Sequence, residues 1–559
     1  MSSAKEPVTR RFGNGLTVLI KEDKSHPVVS LQYWVGTGSM NEGHWQGSGL
    51  SHLLEHLVFK GTAHFSGQEL ARKVQERGGH WNAYTSVNRT VYYIDGPAES
   101  WQIFLNLLTE LVFFPTFPED EMEREKEVVR REMAMYADDP DSVAYQLLMQ
   151  TLYLKHPRRW PVLGERAAFD CLTRQDVLDY HASRYVPNNV VLSIAGDVDA
   201  AEILSHLELL VENLKSRPLN REPIPHEPHQ FGSRRVRKEF AVPYSKLHLA
   251  WRLPCSAHPD TPALSALSSI LGGGRSARFY EKFHDRLGLV YGIEVHSNQS
   301  ETDEGAFTIS MDVDRAQRDK VRDLVLQELR NLAEEDFTED LKRVCKQTRV
   351  SRLRRRSSAS GMAPEMGADW FGARNLNLSS EWQEAIERVT TEDLHRVCST
   401  WLSSPNVTEV SLDPSGSNSG EEEGAASAAG TSLSEHVLGN GMKVVIREDH
   451  RLPLAYACMA FKAGCRAENE HDAGVTDLMA ECLLKGTSTR SAADIARFLE
   501  DIGGAVNTSA GNNSLSVGCQ VLAEDLDAGL ELMADVVMNP SFPEDAFLKE
   551  QESFVADAE

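Results

Sequence analysis

An α+β architecture, with strands and helices grouped rather than strictly alternating, is the fold class this sequence predicts. Short apolar runs such as Val28–Val35 and Val190–Ile194 have the length and β-branched content of strands. Longer stretches of helical period lie between them, over Asp120–Met135 and Gln317–Glu334. Elements grouped in this way pack as layers of sheet and helix, not as a doubly wound sheet. At 559 residues the length alone predicts three or four domains.

The chain also begins again part-way along. Asn440–Val444 repeats Asn14–Val18, and Gly474–Thr487 repeats Gly49–Thr62 at an offset of 425 (Gly474 against Gly49). Gly503-Gly504 repeats Gly78-Gly79, and Asn539–Pro543 repeats Phe114–Pro118. This is an internal duplication. Residues 413–432 separate the copies; they are small, polar and acidic without apolar period, and read as a flexible linker. A weaker boundary falls near 216–233, where Pro218, Pro223, Pro225 and Pro228 interrupt regular structure. The resulting division is 1–217, 232–412, the linker 413–432, and a second copy over 433–559.

The segment most informative about chemistry is His52-Leu53-Leu54-Glu55-His56. On a helix, i and i+4 lie one turn apart on a single face and i+3 sits beside them. Two imidazoles so placed can hold one zinc ion, which keeps a further coordination position for water at a catalytic site. A carboxylate beside that water can take its proton at neutral pH. The order H-x-x-E-H is the inverzincin signature. A helix with two packed or solvated histidines would show the same letters, so context decides. Leu53, Leu54, Leu57, Val58 and Phe59 make the segment strongly apolar, and Lys60-Gly61-Thr62 supplies a stop. Polar side chains in such a helix need partners, and a metal provides them. The third ligand must come from elsewhere. Glu121–Met133 reads as a charged amphipathic helix in which Glu125 and Glu132, seven residues apart, face the same way.

His52–His56 followed by Glu132, with 75 residues between, resembles the pattern of the M16 (pitrilysin/insulinase) zinc metallopeptidases. Asn14–Val18 resembles that family's opening strand, and Gly78–Thr85 its segment at a substrate-binding sheet edge. Tyr185–Asn189, Ala195–Val198, Leu289–Gly292 and Val389–Leu394 resemble later markers, so the likeness spans nearly the whole chain. It implies repeated M16-type (LuxS- and mitochondrial-processing-peptidase-like) domains. Each would be a mainly antiparallel sheet packed with helices, arranged as two halves around a chamber. It implies one Zn²⁺ per chain on His52, His56 and Glu132, with Glu55 as general base and Glu125 behind the site orienting a ligand. Asn82 and Ala83 would bind substrate at a sheet edge. One departure stands out: the family often has Arg seven residues before the tyrosine of its second-domain motif, and here that position is His284, before Tyr291. Tyr291 is therefore read as structural. The second copy has lost the chemistry, with Asp477, Ala480, Glu481 and Asp557 at the positions of His52, Glu55, His56 and Glu132. It reads as a structural or substrate-binding half. The resemblance also implies a fourth domain, like 232–412, or self-association to complete the chamber.

The formal charge of −25 disfavours nucleic acid and anionic membranes as partners. An acidic chamber wall suited to basic peptides and a generally acidic surface both fit it. Arg352–Arg356 is a local exception and reads as a solvated helix face. Eight cysteines without a CxxC pair read as reduced thiols. No apolar stretch is long enough to span a bilayer and the first residues lack a signal-peptide core, so a cytoplasmic protein is the simplest expectation. The expected function is zinc-dependent endopeptidase action on peptides or short unfolded polypeptides, with a non-catalytic M16-like binding or core subunit as the alternative.

Overall fold

The computed structural model describes residues 6–219, 223–274, 276–300, 304–402, 405–415, 433–447, 454–469, 474–502, 505–511, 513–548 and 550–551. They form two compact units, 1–418 and 419–559. In the first unit, β1 (Val8–Arg11), β2 (Thr17–Glu22), β3 (Val28–Val35), β4 (His80–Thr85), β5 (Thr90–Pro97) and β6 (Val190–Gly196) make a six-stranded sheet of order β1-β2-β6-β3-β5-β4. Only β2 and β6 run parallel. Strand β6 arrives late in the chain and takes the centre, pairing on its other side antiparallel to β3. All seven of its residues are buried, which explains its unbroken apolar run.

One face of this sheet packs on a large core that includes Leu31, Tyr33, Leu53, Leu57, Phe104 and Leu108. The helices contributing to it include α1 (Leu50–Val58), α2 (Glu119–Asp138) and the helix Trp101–Phe113. Helix α3 (Pro140–Leu152) follows α2 and leads to a second, five-stranded sheet. That sheet is built from β7 (Arg234–Phe240), β8 (Ser245–Leu253), β9 (Val290–Asn298), β10 (Gly305–Val313) and β11 (Thr408–Pro414), in the order β7-β11-β8-β10-β9. Here β7 and β11 are the parallel pair. Leu148, Met149 and Leu152 of α3 pack with Ala250, Ala306 and Val410. Lys246 reaches back to Asp141 at the start of α3, at 2.6 Å.

A further helix, α4 (Ala359–Ala373), lies across the other face of the first sheet, with Met362, Ala363 and Met366 against Leu19, Trp34 and Val191. The approach is close because position 367 is glycine: a Cβ there would stand 2.3 Å from the Trp34 indole. The Ser193 hydroxyl donates to the Ala363 carbonyl at 2.7 Å.

The second unit contains β12 (Leu433–Val437), β13 (Lys443–Arg447), β14 (Leu454–Phe461), α5 (Val475–Cys482), β15 (Ala505–Ala510) and β16 (Leu515–Leu522). Its described strands make two sheets, β12-β13 and β14-β16-β15. No described strand takes the position that β6 holds in the first copy.

The α+β expectation holds: sheets are mostly antiparallel and covered by helices. The expected helices Asp120–Met135 and Gln317–Glu334 occur as Glu119–Asp138 and as Arg318–Asn331 with a following 3₁₀ turn. One boundary needs correction. Asp413 and Pro414, read as the start of the linker, are the end of β11. Asp413 is buried, accepts from Ser245 (2.7 Å) and Ser411 (2.6 Å), and pairs with Arg318. Asp-Pro-Ser-Gly has the composition of a turn, and only these tertiary partners make its first residue strand. The remainder of that stretch, 416–432, lies outside the described residues.

Candidate metal centre

Helix α1 is set in place before its functional residues begin. Gly49, its N-cap, has φ 73°, and a Cβ there would meet the Leu163 carbonyl at 2.0 Å. The wholly buried Glu42 accepts from the Ser51 N–H at 2.8 Å, at the end of the helix where an anion is favoured. Burial pushes the Glu42 carboxyl up to about 8. Leu53, Leu54, Leu57 and Val58 are buried in the core, and the remaining face carries His52, Glu55 and His56.

Helix α2 brings Glu132 to that face. Its Oε2 lies 3.8 Å from His52 Nε2 and 3.7 Å from His56 Nε2. One donor atom from each of the three residues falls within 4.8 Å of the others, a cluster able to hold a metal. Zinc bonds of roughly 2.0–2.2 Å in a tetrahedron separate donor atoms by about 3.4 Å, and both Glu132–histidine distances exceed that by only a few tenths of an ångström. The donor set, two imidazoles and one carboxylate, is one that catalytic zinc sites use.

Surrounding groups fix the ligands. His56 Nδ1 lies 3.3 Å from Glu125 Oε2, the partner for a tautomer that would leave Nε2, 3.7 Å from Glu132, free for a metal. The other Glu125 oxygen receives Lys60 Nζ at 2.6 Å. Burial would raise the Glu125 carboxyl, but the hydrogen bonds from His56 and Lys60 outweigh it and hold it below the usual range. Burial would likewise lower His56, yet its bond to Glu125 and the charges of Glu55 and Glu132 carry it above its ordinary value. His52 is 12 % exposed; burial, then the neighbouring His56, push it down to about 3, so its imidazole is neutral. Burial raises both Glu55 and Glu132; Thr85 and His56 oppose the rise at Glu55, and His56 opposes it at Glu132. Desolvated carboxylates crowded in this way are what a divalent cation relieves.

Glu55 accepts a hydrogen bond from Thr85 Oγ1 at 2.5 Å. Thr85 ends β4, the edge strand that also carries Asn82 and Ala83 and pairs only with β5. The Ala83 N–H is occupied by the Asn82 side-chain oxygen at 2.8 Å. The residue after Glu132, Met133, lines a cavity of about 670 Å³ together with Tyr136, Tyr145 and Trp160.

The structure thus brings together His52, Glu55, His56, Glu125 and Glu132, and it links Asn82 and Ala83 to them through Thr85. Tyr291 lies elsewhere, on β9, 55 % exposed and ring against ring with Tyr244 at 5.3 Å. Sequence reasoning missed the roles of Lys60, Thr85 and Glu42. Thr85 alone carried a signal, since in a strand it shares a face with Ala83 and Trp81.

The profile described as insulinase (peptidase family M16) matches residues 17–166 and again 443–559, and the M16 inactive-domain profile matches 172–347. An uncharacterized zinc protease of Rickettsia felis is 27 % identical over 412 residues, covering 72 % of this chain and 96 % of that protein. Another, from Mycobacterium tuberculosis, is 30 % identical over 299 residues, or 52 % of this chain and 67 % of the relative. The crystal structure of a protease from Helicobacter pylori superposes with a TM-score of 0.67 at 26 % identity, covering 73 % of this chain and all of that one. A Pseudomonas fluorescens structure titled as a peptidase M16 inactive domain shares the fold, with a TM-score of 0.68 at 21 % identity over 75 % of this chain. The chain belongs to the M16 (insulinase) peptidase family. Among its described residues no helix is long and apolar enough to cross a membrane.

Proposed function

We propose that this chain is a zinc-dependent endopeptidase acting on peptides or short unfolded polypeptides, with the chemistry in the first repeat. The observation that carries this reading is the meeting of His52, His56 and Glu132 beside a carboxylate, Glu55, that is tethered to an edge strand. Zinc, when bound by His52, His56 and Glu132, polarises the scissile carbonyl and lowers the pKa of water. Glu55 takes the proton of the attacking water and returns it to the leaving amine. Thr85 holds Glu55 Oε2 and so keeps the other oxygen turned toward the reacting atoms. Glu125 keeps the His56 ring in one tautomer and one orientation.

The substrate joins β4 as an added strand, displacing the Asn82 side chain from the Ala83 N–H, a mode that reads backbone more than sequence. An apolar or aromatic substrate side chain suits the cavity lined by Tyr145 and Trp160. A domain of the 232–412 type, or a second chain, would complete an enclosure around the peptide; nucleic acid and membrane have no part in this reading.

Glu55→Gln tests it. The variant is expected to bind one zinc per chain, by metal analysis, and to cut a mixed peptide library at least about 100-fold more slowly. Wild type that binds no zinc, or a Glu55→Gln chain that cuts as fast as wild type, would return the chain to the non-catalytic reading.

A further inference from the structure

The second repeat has kept the frame of the first while discarding its chemistry. Gly474 caps α5 with φ 88°, as Gly49 caps α1. Glu468 accepts from the Gly474 and Thr476 N–H groups at 2.7 and 2.8 Å, the counterpart of Glu42 on Ser51. The bridges Gly61–Ser66 and Thr62–Pro115 recur as Gly486–Ser491 and Thr487–Pro540, and the positive φ of Phe117 recurs at Phe542. The Lys60–Glu125 pair behind the metal centre recurs as Lys485–Glu550 at 2.8 Å.

The working face has lost its chemistry. Glu55 and its hydroxyl partner Thr85 correspond to Ala480 and Ala510, so donor and acceptor are both gone. The histidines correspond to Asp477 and Glu481. The edge is intact: among the described residues β15 pairs only with β16, its residues alternate between outward and inward as those of β4 do, and Asn507 stands exposed where β4 has Asn82. Helix α5 packs behind β15 as α1 packs behind β4.

We infer that β15 and the adjoining face of α5 form a second peptide-binding site, one that grips an extended, basic segment through strand addition and does not cut it. Two observations set the occupant. The open edge takes a strand. Asp477 is half-buried and Glu481 exposed, and neither makes an ion pair within 4 Å among the described residues; Lys485, paired with Glu550, also feels the Glu481 charge. The sequence of this unit has the same sign: residues 419–559 hold 25 Asp and Glu against 9 Lys and Arg. Lysine or arginine side chains on alternate positions of the added strand meet these carboxylates; aliphatic or acidic ones do not. The inference rests on the proposed function only for its strand-addition mode, and it gives the inactive repeat a task in retaining long peptides.

The test uses the full chain carrying Glu55→Gln, so that the probe survives. Hydrogen exchange is followed with a blocked octapeptide of alternating Lys and Thr, and with its Glu-Thr counterpart. The Lys probe is expected to slow exchange over 505–510 as well as over 80–85, less so at high salt. Asp477→Lys with Glu481→Lys weakens the 505–510 response about tenfold, the sum of two partly exposed ion pairs, and leaves that at 80–85 in place. Glu481→Gln alone, which adds no charge, gives a smaller loss of the same sign. Exchange over 505–510 that is unmoved by saturating Lys probe, slowed equally by the Glu probe, or indifferent to both charge variants overturns the inference. Protection at 505–510 from a chain whose wild type cuts nothing would sink the peptidase reading and leave this one standing.

Discussion

Lys60 and Glu125 touch no metal donor atom of the centre except through His56 Nδ1, yet they set its geometry. Removing Glu125 frees the ring to turn and to exchange tautomers. Glu125→Gln is therefore expected to weaken zinc binding about 10- to 100-fold, measured by competition with a chromogenic chelator, with cutting restored at high zinc. Lys60→Met leaves Glu125 buried with one charge uncompensated and should act in the same direction, less strongly. These two residues also mark how far the sequence could be read. The pair His52 and His56 was legible because helical period alone puts i and i+4 on one face. Glu132 and Glu125 could be narrowed to one face of a charged helix, but no spacing says which helix that face meets; resemblance supplied the choice. The hydrogen bonds of Lys60 and Thr85 depend on angles between elements that no local pattern encodes.

A second residue-scale expectation concerns pH. His248, on β8, is held neutral: burial, then the charge of Lys246, push its imidazole down to about 4, with Ser310 2.9 Å away. In the unfolded chain it titrates near 6.5. Because the folded value is the lower one, the unfolded state binds the extra proton, so stability is full above pH 6.5 and is lost as pH falls toward 4. At pH 5 the loss is about 2 kcal/mol. His248→Gln should narrow the difference between melting temperatures at pH 7 and pH 5, measured in metal-free protein so that metal release at low pH does not contribute.

Among the elements, α4 shows the tightest dependence on one position. It belongs in sequence to the stretch that builds the second sheet, yet it covers the outer face of the first, so the two domains of this unit share a buried layer. Gly367→Ala places a methyl group into the Trp34 indole. The expected cost is about 2 kcal/mol, read as a lower urea midpoint with an unchanged slope. Nothing in the sequence announced this layer. The helix Ala359–Ala373 is rich in small residues and methionine, with a proline at 364, and its amphipathic signal is weak because both sides are partly covered. The linker correction has a similar origin: Asp413 is strand only because Arg318, Ser245 and Ser411 receive it.

At the scale of the whole molecule, duplication followed by divergence leaves the His-His-Glu cluster in one copy and, in the other, the same frame without it. The order of elements adds a consequence of its own. Strand β6 completes the first sheet from the middle, yet it is translated 93 residues after β5 ends, later than α1, β4 and α2. A growing chain on the ribosome therefore carries every reactive side chain before it owns the slat that joins β2 to β3. Until Gly196 is made, β2 and β3 lack the strand that each of them pairs with in the finished sheet. The first sheet is therefore closed by its most completely buried strand, made after both helices that carry the metal-binding cluster.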